Sequence, residues 1–273
     1  MIDYHMHTDY TLDATGKVED FCQAAIAKKI EEIAFTNHFI IINIDRPGGS
    51  ITPQQIFEHV KDIESAREKF DLEIKLGLEC DYWQTYHKDI EKILDEHDFD
   101  FIMGSVHFVE GFLIGGGLEH CTRFFEAKSI HEAYETYFKR IIEAIESQLF
   151  EVIAHPDSIR KNAKKFYGQE LPFEKYQDLV KEVIESLVDN KVGIEVNTSG
   201  YRHGINDCFP SIGFLKLCKE AGVKIITIGS DAHSPSGLGI NLEKGIEQLR
   251  AAGYDEISLF NLRKPKQIPI EEL

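Results

Sequence analysis

Short apolar runs alternate with longer amphipathic stretches from one end of the chain to the other. The short runs predict seven β-strands, at residues 2–5, 32–36, 74–80, 99–106, 151–155, 192–197 and 224–229. The longer stretches predict helices at residues 18–27, 53–70, 84–96, 129–147, 172–189, 212–221 and 242–252. Strands and helices that alternate in this way are typical of a parallel sheet covered by helices, so the pattern predicts an α/β barrel.

The organisation of the chain predicts one domain over residues 1–273. Neither a Pro/Ser-rich linker nor a short repeat divides the sequence. Two helix starts carry capping residues, because Thr52 precedes Pro53 and Ser129 stands three residues before Glu132. These signals agree with the boundaries that the apolar pattern predicts.

Charge and composition exclude several classes of function. With 30 basic and 47 acidic residues the net charge is -17, which argues against binding to a nucleic-acid backbone. No apolar run approaches the roughly 20 residues that cross a bilayer, and we expect a cytoplasmic protein. The cysteines lack CxxC spacing, so we expect free thiols rather than disulfides or a zinc finger; they are Cys22, Cys80, Cys121, Cys208 and Cys218.

Nine side chains that can bind metal lie mostly where a predicted strand ends. Two pairs are spaced i and i+2, which on a strand places both side chains on one face. In a parallel barrel the C-terminal strand ends converge on one mouth. Each residue taken alone could be a loop or core residue, but burying all of them without metal would be costly. We therefore predict a multinuclear metal site formed by His5, His7, Asp13, His38, Glu79, His107, His155, Asp231 and His233.

The motifs HMHT, TNH, LGLE, GSVH, AHPD and SDAH, in that order, resemble those of the polymerase and histidinol phosphatase (PHP) family. The resemblance implies a distorted (β/α)7 TIM-like barrel of the PHP type that holds three divalent ions, zinc, manganese or iron. It implies that His5, His7, Glu79 and Asp231 hold the first ion, that Glu79, His107 and His155 hold the second, and that Asp13, His38 and His233 hold the third. Many relatives have histidine at the Asp13 position, which bears on the metal preferred there.

Within the family, the DYH opening and the GIEVNTSGYR segment are most similar to histidinol-phosphate phosphatases. These enzymes hydrolyse L-histidinol phosphate to L-histidinol and phosphate in histidine biosynthesis. The expected phosphate clamp is Arg160 and Arg202 on loops at the barrel mouth, because guanidinium groups bind phosphate in a bidentate manner. Asn197 and Ser199 are further candidate substrate-binding residues. Solvated loop charges are the alternative interpretation of the two arginines.

The expected mechanism begins with two ions that share Glu79 and lower the pKa of a bridging water, which then attacks phosphorus as hydroxide. The third ion and the arginines would neutralise the charge on the phosphate oxygens. The departing alkoxide needs a proton, and Asp231, His233 or a metal-bound water could supply it. The sequence leaves that choice open.

Other activities and roles remain open at this stage. A PHP phosphoesterase could act on nucleotides or other small phosphomonoesters, an amidohydrolase-like enzyme would also begin with HxH, and a noncatalytic protein could merely bind metal. Gly115–Gly117 could form a lid or a plain surface loop. Residues 39–49 could wall the pocket, and Tyr82 and Trp83 could pack either on an imidazole ring or in the core. The oligomeric state is not predicted.

Overall fold

Seven parallel strands form a nearly closed barrel in the computed structural model, which describes residues 1–43 and 49–273. The strands are β1 (Ile2–Met6), β2 (Glu32–Phe35), β3 (Glu73–Asp81), β4 (Phe101–Ser105), β5 (Val152–Ile153), β6 (Gly193–Asn197) and β7 (Ile226–Gly229). Each pairs with the next in chain order, and a parallel bridge between Met6 and Ala232 brings the last strand back to the first. The backbone N–H of His7 donates to the Ala232 carbonyl at 2.8 Å there.

All seven predicted strands and the predicted (β/α)7 barrel are confirmed. The strands read as continuous apolar runs because most of their residues are buried, as expected for a parallel sheet covered by helices. The barrel is distorted, since the β1–β2 register shifts between Asp3 and Met6, and a two-residue strand at His38–Phe39 pairs with the end of β3. Predicted and observed strand ends differ by up to two residues.

The seven predicted helices are present, along with three that the pattern did not predict. The helices are α1 (Val18–Ala27), α2 (Pro53–Lys69), α3 (His87–Leu94), α4 (Thr122–Glu126), α5 (Ile130–Glu146), α6 (Arg160–Tyr167), α7 (Gln177–Asn190), α8 (Ser199–Arg202), α9 (Ile212–Ala221) and α10 (Leu242–Ala251). Thr52 and Ser129 cap α2 and α5 by accepting from the backbone N–H groups of Gln55 and Glu132. No helix in the described ranges is both long and apolar enough to span a membrane.

A C-terminal hairpin covers the N-terminal end of the barrel. Its strands are β8 (Glu256–Asn261) and β9 (Lys264–Pro269), and neither was predicted. The Phe260 ring packs on Phe101 with centroids 4.8 Å apart, and the Phe260 N–H donates to the Tyr4 hydroxyl at 3.0 Å. With that end covered, the loops after the strands are left free to build a site at the opposite end.

Candidate metal centre

The structure brings all nine predicted ligands together at the C-terminal mouth of the barrel. His5 and Glu79 lie within β1 and β3, and His38 begins the two-residue strand His38–Phe39. The others follow strand ends closely, except Asp13, which lies on the loop after β1. His5, His7 and Glu79 are fully buried, whereas the Asp13 side chain is 56 % exposed. The cluster therefore runs from the barrel interior to its surface.

The deepest group of donor atoms joins His5, His7, Glu79 and Asp231. His5 Nε2 lies 3.0 Å from His7 Nε2 and 3.5 Å from Glu79 Oε2. Asp231 Oδ1 lies 3.4 Å from His7 Nε2 and 3.8 Å from His5 Nε2. The donor atoms of His5, His7 and Asp231 lie close enough together to hold one ion, and Glu79 Oε2 lies beside the two histidines.

Glu79 links this group to a second one through its other oxygen. Glu79 Oε1 lies 2.8 Å from His155 Nε2 and 3.4 Å from His107 Nε2. Since the two carboxylate oxygens face different groups of histidines, Glu79 is placed to bridge two ions.

A third group lies nearest to solvent. Asp13 Oδ2 is 3.4 Å from His38 Nε2 and 3.5 Å from His233 Nε2. His38 also presents Nδ1 at 2.6 Å from Glu79 Oε2, which connects the third group with the first. The His7 ring stacks on His38 at 4.1 Å between centroids.

The donor set fits divalent metal. Although His38 Nδ1 lies 2.6 Å away, Glu79 Oε2 is buried and accepts no well-oriented hydrogen bond from the described residues, which is costly for a carboxylate unless an ion completes its environment. Burial opposes the Glu79 charge, but the surrounding histidines, His107, His38 and His5, hold its pKa well below its usual range. Imidazole and carboxylate groups in this arrangement are typical ligands of zinc, manganese and iron, so the cluster can hold divalent ions.

Two buried carboxylates support the ligands from behind, and neither was predicted. Glu195 Oε1 lies 2.7 Å from His5 Nδ1, and Asp81 Oδ1 accepts from the His107 backbone N–H at 2.5 Å. The Glu195 contact orients the imidazole and fixes which of its nitrogens carries the proton, whereas the Asp81 contact holds the His107 backbone. Both acids lie in buried strands, Glu195 within β6 and Asp81 at the end of β3, and a carboxylate in a buried strand is the sequence feature that could have revealed them.

Backbone strain occurs at two of the predicted ligands. His155 has a φ of 29° and Asp231 a φ of 55°, in the left-handed region that residues with a Cβ rarely adopt. Such strain persists only where the surroundings impose it, and it is often found at functional sites.

A cavity of about 460 Å³ opens on the metal-ligand cluster. Its apolar lining residues include Leu12, Ile40, Phe108, Leu113 and Phe209. Its cationic and polar lining residues include Lys161, Arg202 and His203, with Ser158 and Ser199. The lining therefore offers both cationic groups and apolar surface to a ligand.

Arg202 lies where the sequence placed it, at the cavity, although it ends α8 rather than lying on a loop. Its guanidinium donates to the backbone carbonyl of Asp231 at 2.9 Å and to that of Ser230 at 3.3 Å. The side chain is 38 % exposed, so part of the guanidinium remains available to a ligand. Ser199, at the start of the same helix, also lines the cavity.

Arg160 does not face the cavity as expected. It begins α6, is almost fully buried, and donates to carboxylates of Glu170 at 2.7 Å, Asp207 at 3.2 Å and Asp157 at 3.3 Å. It also donates to the Cys208 carbonyl at 3.1 Å. These carboxylates already accept from the N–H groups that would bind phosphate. The contacts of Arg160 are therefore those of a residue that stabilises the fold.

Asn197 also lies beneath the site rather than at the cavity. It is fully buried, donates to Glu195 Oε2 at 3.1 Å, and accepts from the Ser199 N–H at 2.9 Å. These contacts position Glu195, which contacts His5, and the first residue of α8.

Lys161 is a cavity residue that sequence reasoning missed. Its Nζ donates to the Gly115 carbonyl at 2.6 Å, and no described carboxylate lies within ion-pair distance of it. The Asn162 amide donates to the carbonyls of Ile114 and Gly116 at 2.8 and 2.9 Å. These three bonds tie the glycine segment to α6 and favour a fixed wall over a lid.

The remaining expectations concern the cavity walls. Ile40 and Gly49 line the cavity, whereas residues 44–48 lie outside the described residues. Trp83 packs on Phe108 and donates to Asp81 Oδ2 at 2.9 Å, so it contacts a ligand support rather than a ligand ring. Tyr82 packs against Phe150.

Comparisons with known proteins show similarity along nearly the whole chain. The chain is 25% identical over 263 residues to the "Histidinol-phosphatase" of Lactococcus lactis subsp. lactis, covering 95% of this chain and 94% of that protein. It is 25% identical over 255 residues to the "Probable histidinol-phosphatase" of Deinococcus radiodurans, covering 93% and 94%.

Among solved structures, the chain resembles that of histidinol phosphate phosphatase from Lactococcus lactis subsp. lactis, complexed with zinc, L-histidinol and phosphate. The TM-score is 0.81 at 22% identity, covering 97% of this chain and 98% of that one, so the two share a fold. The family model of the PHP domain matches residues 3–199, which is well over half of the chain. This protein therefore belongs to the PHP domain family.

Proposed function

We propose that this protein is a metal-dependent phosphomonoesterase that hydrolyses L-histidinol phosphate to L-histidinol and phosphate, as a step in histidine biosynthesis. The observation that carries the proposal is the cluster of nine predicted ligands, which opens on a cavity lined by both cationic and apolar side chains. The names of relatives that match over more than nine tenths of the chain support this particular substrate.

We assign three divalent ions, zinc, manganese or iron, to the three groups of donor atoms. The first would be held by His5, His7, Glu79 and Asp231, the second by Glu79, His107 and His155, and the third by Asp13, His38 and His233. When bound, such ions supply Lewis-acid chemistry: they activate water and neutralise charge on phosphate oxygens.

Arg202 and Lys161 provide the cationic side of the phosphate site. Arg202 offers a planar guanidinium, and Lys161 offers an ammonium that has one backbone acceptor. Burial lowers the pKa of Lys161, since a charged amine is costly away from water. A phosphate dianion would pair with the Lys161 ammonium, which has no carboxylate partner among the described side chains.

The apolar lining of the cavity suits the imidazole end of the substrate. Phe108, Leu12, Ile40 and Leu113 supply apolar surface there. A flat heteroaromatic ring packs favourably on such side chains. The phosphate end would then lie toward the metal-ligand cluster.

Asp231 is the residue that we assign to carry a proton to the leaving alkoxide. Burial opposes its charge, but His5, His7 and His233 keep its pKa well below its usual range, so the carboxylate is ionised before the reaction and would hold the proton of the attacking water only in passing. Its Oδ2 faces Arg202 at 3.8 Å, on the cavity side. His233 is a poorer candidate, since Nδ1 faces the Asp231 carbonyl at 3.0 Å and Nε2 faces Asp13.

The test is a phosphate-release panel of histidinol phosphate, nucleotides and sugar phosphates, run before and after removal of metal with a chelator. We expect the highest kcat/KM with histidinol phosphate, loss of release after chelation, and recovery with zinc or manganese. Release only from nucleotides would instead favour another PHP phosphoesterase. Hydrolysis of amides without release of phosphate would favour an amidohydrolase, and inactivity with every substrate would favour a noncatalytic metal-binding protein.

A further inference from the structure

Glu195 contacts the supports of two different metal subsites at once. Its Oε1 lies 2.7 Å from His5 Nδ1, and its Oε2 accepts from the His155 backbone N–H at 2.9 Å. His5 belongs to the first group of donor atoms and His155 to the second. Glu195 is fully buried, so no solvent competes for either contact.

The contact with His5 decides which ring nitrogen can bind metal. A carboxylate oxygen only accepts, so the proton of a neutral His5 lies on Nδ1 and leaves Nε2 with its lone pair. His5 Nε2 is the atom that faces Glu79 and Asp231. Asn197 Nδ2 also approaches His5 Nδ1, but at 3.4 Å, and its shorter bond goes to Glu195. The charge-assisted contact at 2.7 Å therefore sets the tautomer.

The contact with His155 holds a strained backbone. His155 has a φ of 29°, and its N–H points at Glu195 Oε2. Nearby Gly229 leaves the space that this arrangement needs, because a Cβ there would lie 2.5 Å from Glu195 Oε1 and would overlap His5 Cβ. The carboxylate is thus confined by packing.

We propose that Glu195 is a positioning residue that presents His5 Nε2 to the first subsite and holds His155 for the second, which couples the two. The inference rests on the proposed metal cluster. It differs from a merely structural role because it requires an acceptor at both oxygens, and not only a side chain of the right size.

Glu195→Gln separates those two requirements, since glutamine has nearly the same shape but a single acceptor oxygen. The His155 N–H cannot change its donor character, so the glutamine oxygen should face it and the amide N–H₂ should face His5. His5 Nδ1 would then have to accept, and its proton would move to Nε2. We expect a 10- to 100-fold loss of zinc affinity at one subsite, the range seen when such support is removed.

The experiment measures zinc stoichiometry and affinity by competition with a chromophoric chelator, together with the thermal midpoint. The matched control is Glu32→Gln, the same change at a buried carboxylate on β2, which bonds to Tyr4 at the other end of the barrel. Glu32→Gln should bind zinc as the wild type does. Glu195→Gln should keep the remaining ions while it loses one.

A measurement on the wild type covers the case in which Glu195→Gln does not fold. In zinc-loaded protein, long-range ¹H–¹⁵N spectra should place the His5 proton on Nδ1. A His5 proton on Nε2, or an unchanged zinc affinity in folded Glu195→Gln, would overturn the inference. Neither result would contradict the proposed phosphatase function. A wild type that binds no zinc would overturn the proposed function as well.

Discussion

Replacing Arg160 with methionine should reduce stability rather than catalysis. The substitution keeps an unbranched stem but removes a guanidinium that contacts three carboxylates and one carbonyl. Asp157 is fully buried, and the side chains of Asp207 and Glu170 are 22% and 31% exposed. Their negative charges would remain without their common partner.

The size of the stability loss follows from the burial of the ion pairs around Arg160. Removing one partner of a buried ion pair costs about 3–5 kcal/mol, because the other charge stays desolvated. At about 2–4 °C per kcal/mol for a chain near this size, the thermal midpoint should fall by roughly 6–20 °C. Burial raises the pKa of Asp157 to about 6 even though Arg160 opposes that shift. Protonation of Asp157 can therefore relieve part of the loss, which should be smaller at pH 5 than at pH 8.

Arg202→Met is the matched comparison, since it removes the same group from the cavity side. It should lower kcat/KM for histidinol phosphate at least tenfold, about 1.4 kcal/mol of transition-state stabilisation, with little change in thermal midpoint. Arg160→Met should keep kcat/KM within about threefold where it is folded, since its guanidinium does not line the cavity. Both quantities come from phosphate-release kinetics and thermal denaturation. A tenfold loss of kcat/KM in Arg160→Met at an unchanged midpoint would refute the structural assignment of Arg160.

Three further predictions concern single residues. Lys161→Met should lower kcat/KM at least tenfold with at most a small fall in the thermal midpoint, because the amine gives up one hydrogen bond to a backbone carbonyl and has no described carboxylate partner; unaltered kinetics would remove it from the phosphate site. Gly115→Ala should weaken zinc binding in chelator competition, because its Cβ would overlap the His107 ring, whereas Gly237→Ala, with its nearest atom at 3.5 Å, should not. For Asp157, the native pKa near 6 exceeds the ordinary 3.8, so the native state binds more protons between those values, and its contribution to stability falls as pH rises through that window. Urea denaturation should therefore show Asp157→Asn gaining stability relative to wild type from pH 4 to 6; a flat difference would contradict this.

The sequence predicted the barrel because its strands are buried along nearly their whole length. A buried strand reads as a short apolar run whatever its partners are, so local pattern suffices. Helix α6 gave no such pattern, since its sequence, RKNAKKFY, buries Arg160, Asn162 and Ala163. The hairpin at the C-terminal end was missed for a related reason, because most residues of β9 are exposed or half-exposed. A pattern of apolar residues does not reveal helices or strands that bury polar residues or that bury few residues.

The ligands of the site were predictable because strand ends fix them, whereas their supports depend on distant partners. His5 and Glu195 are separated by 190 residues and meet only when β1 and β6 take their places in the barrel. No local spacing relates the two positions. What the chain does show is a carboxylate inside an apolar strand, and its burial demands a partner.

The Arg160–Lys161 pair shows how far a position in sequence can specify a side chain's role. Arg160 was expected at the cavity, and that prediction is wrong, since the next residue, Lys161, lies there instead. Consecutive residues of a helix point about 100° apart, so only one of the two can face the cavity. Asp157, Glu170 and Asp207 attract Arg160 inward, and Lys161 is thereby turned toward the site. The orientation of α6 about its axis therefore decides which of the two side chains faces the cavity, and the distance along the sequence from the AHPD motif does not.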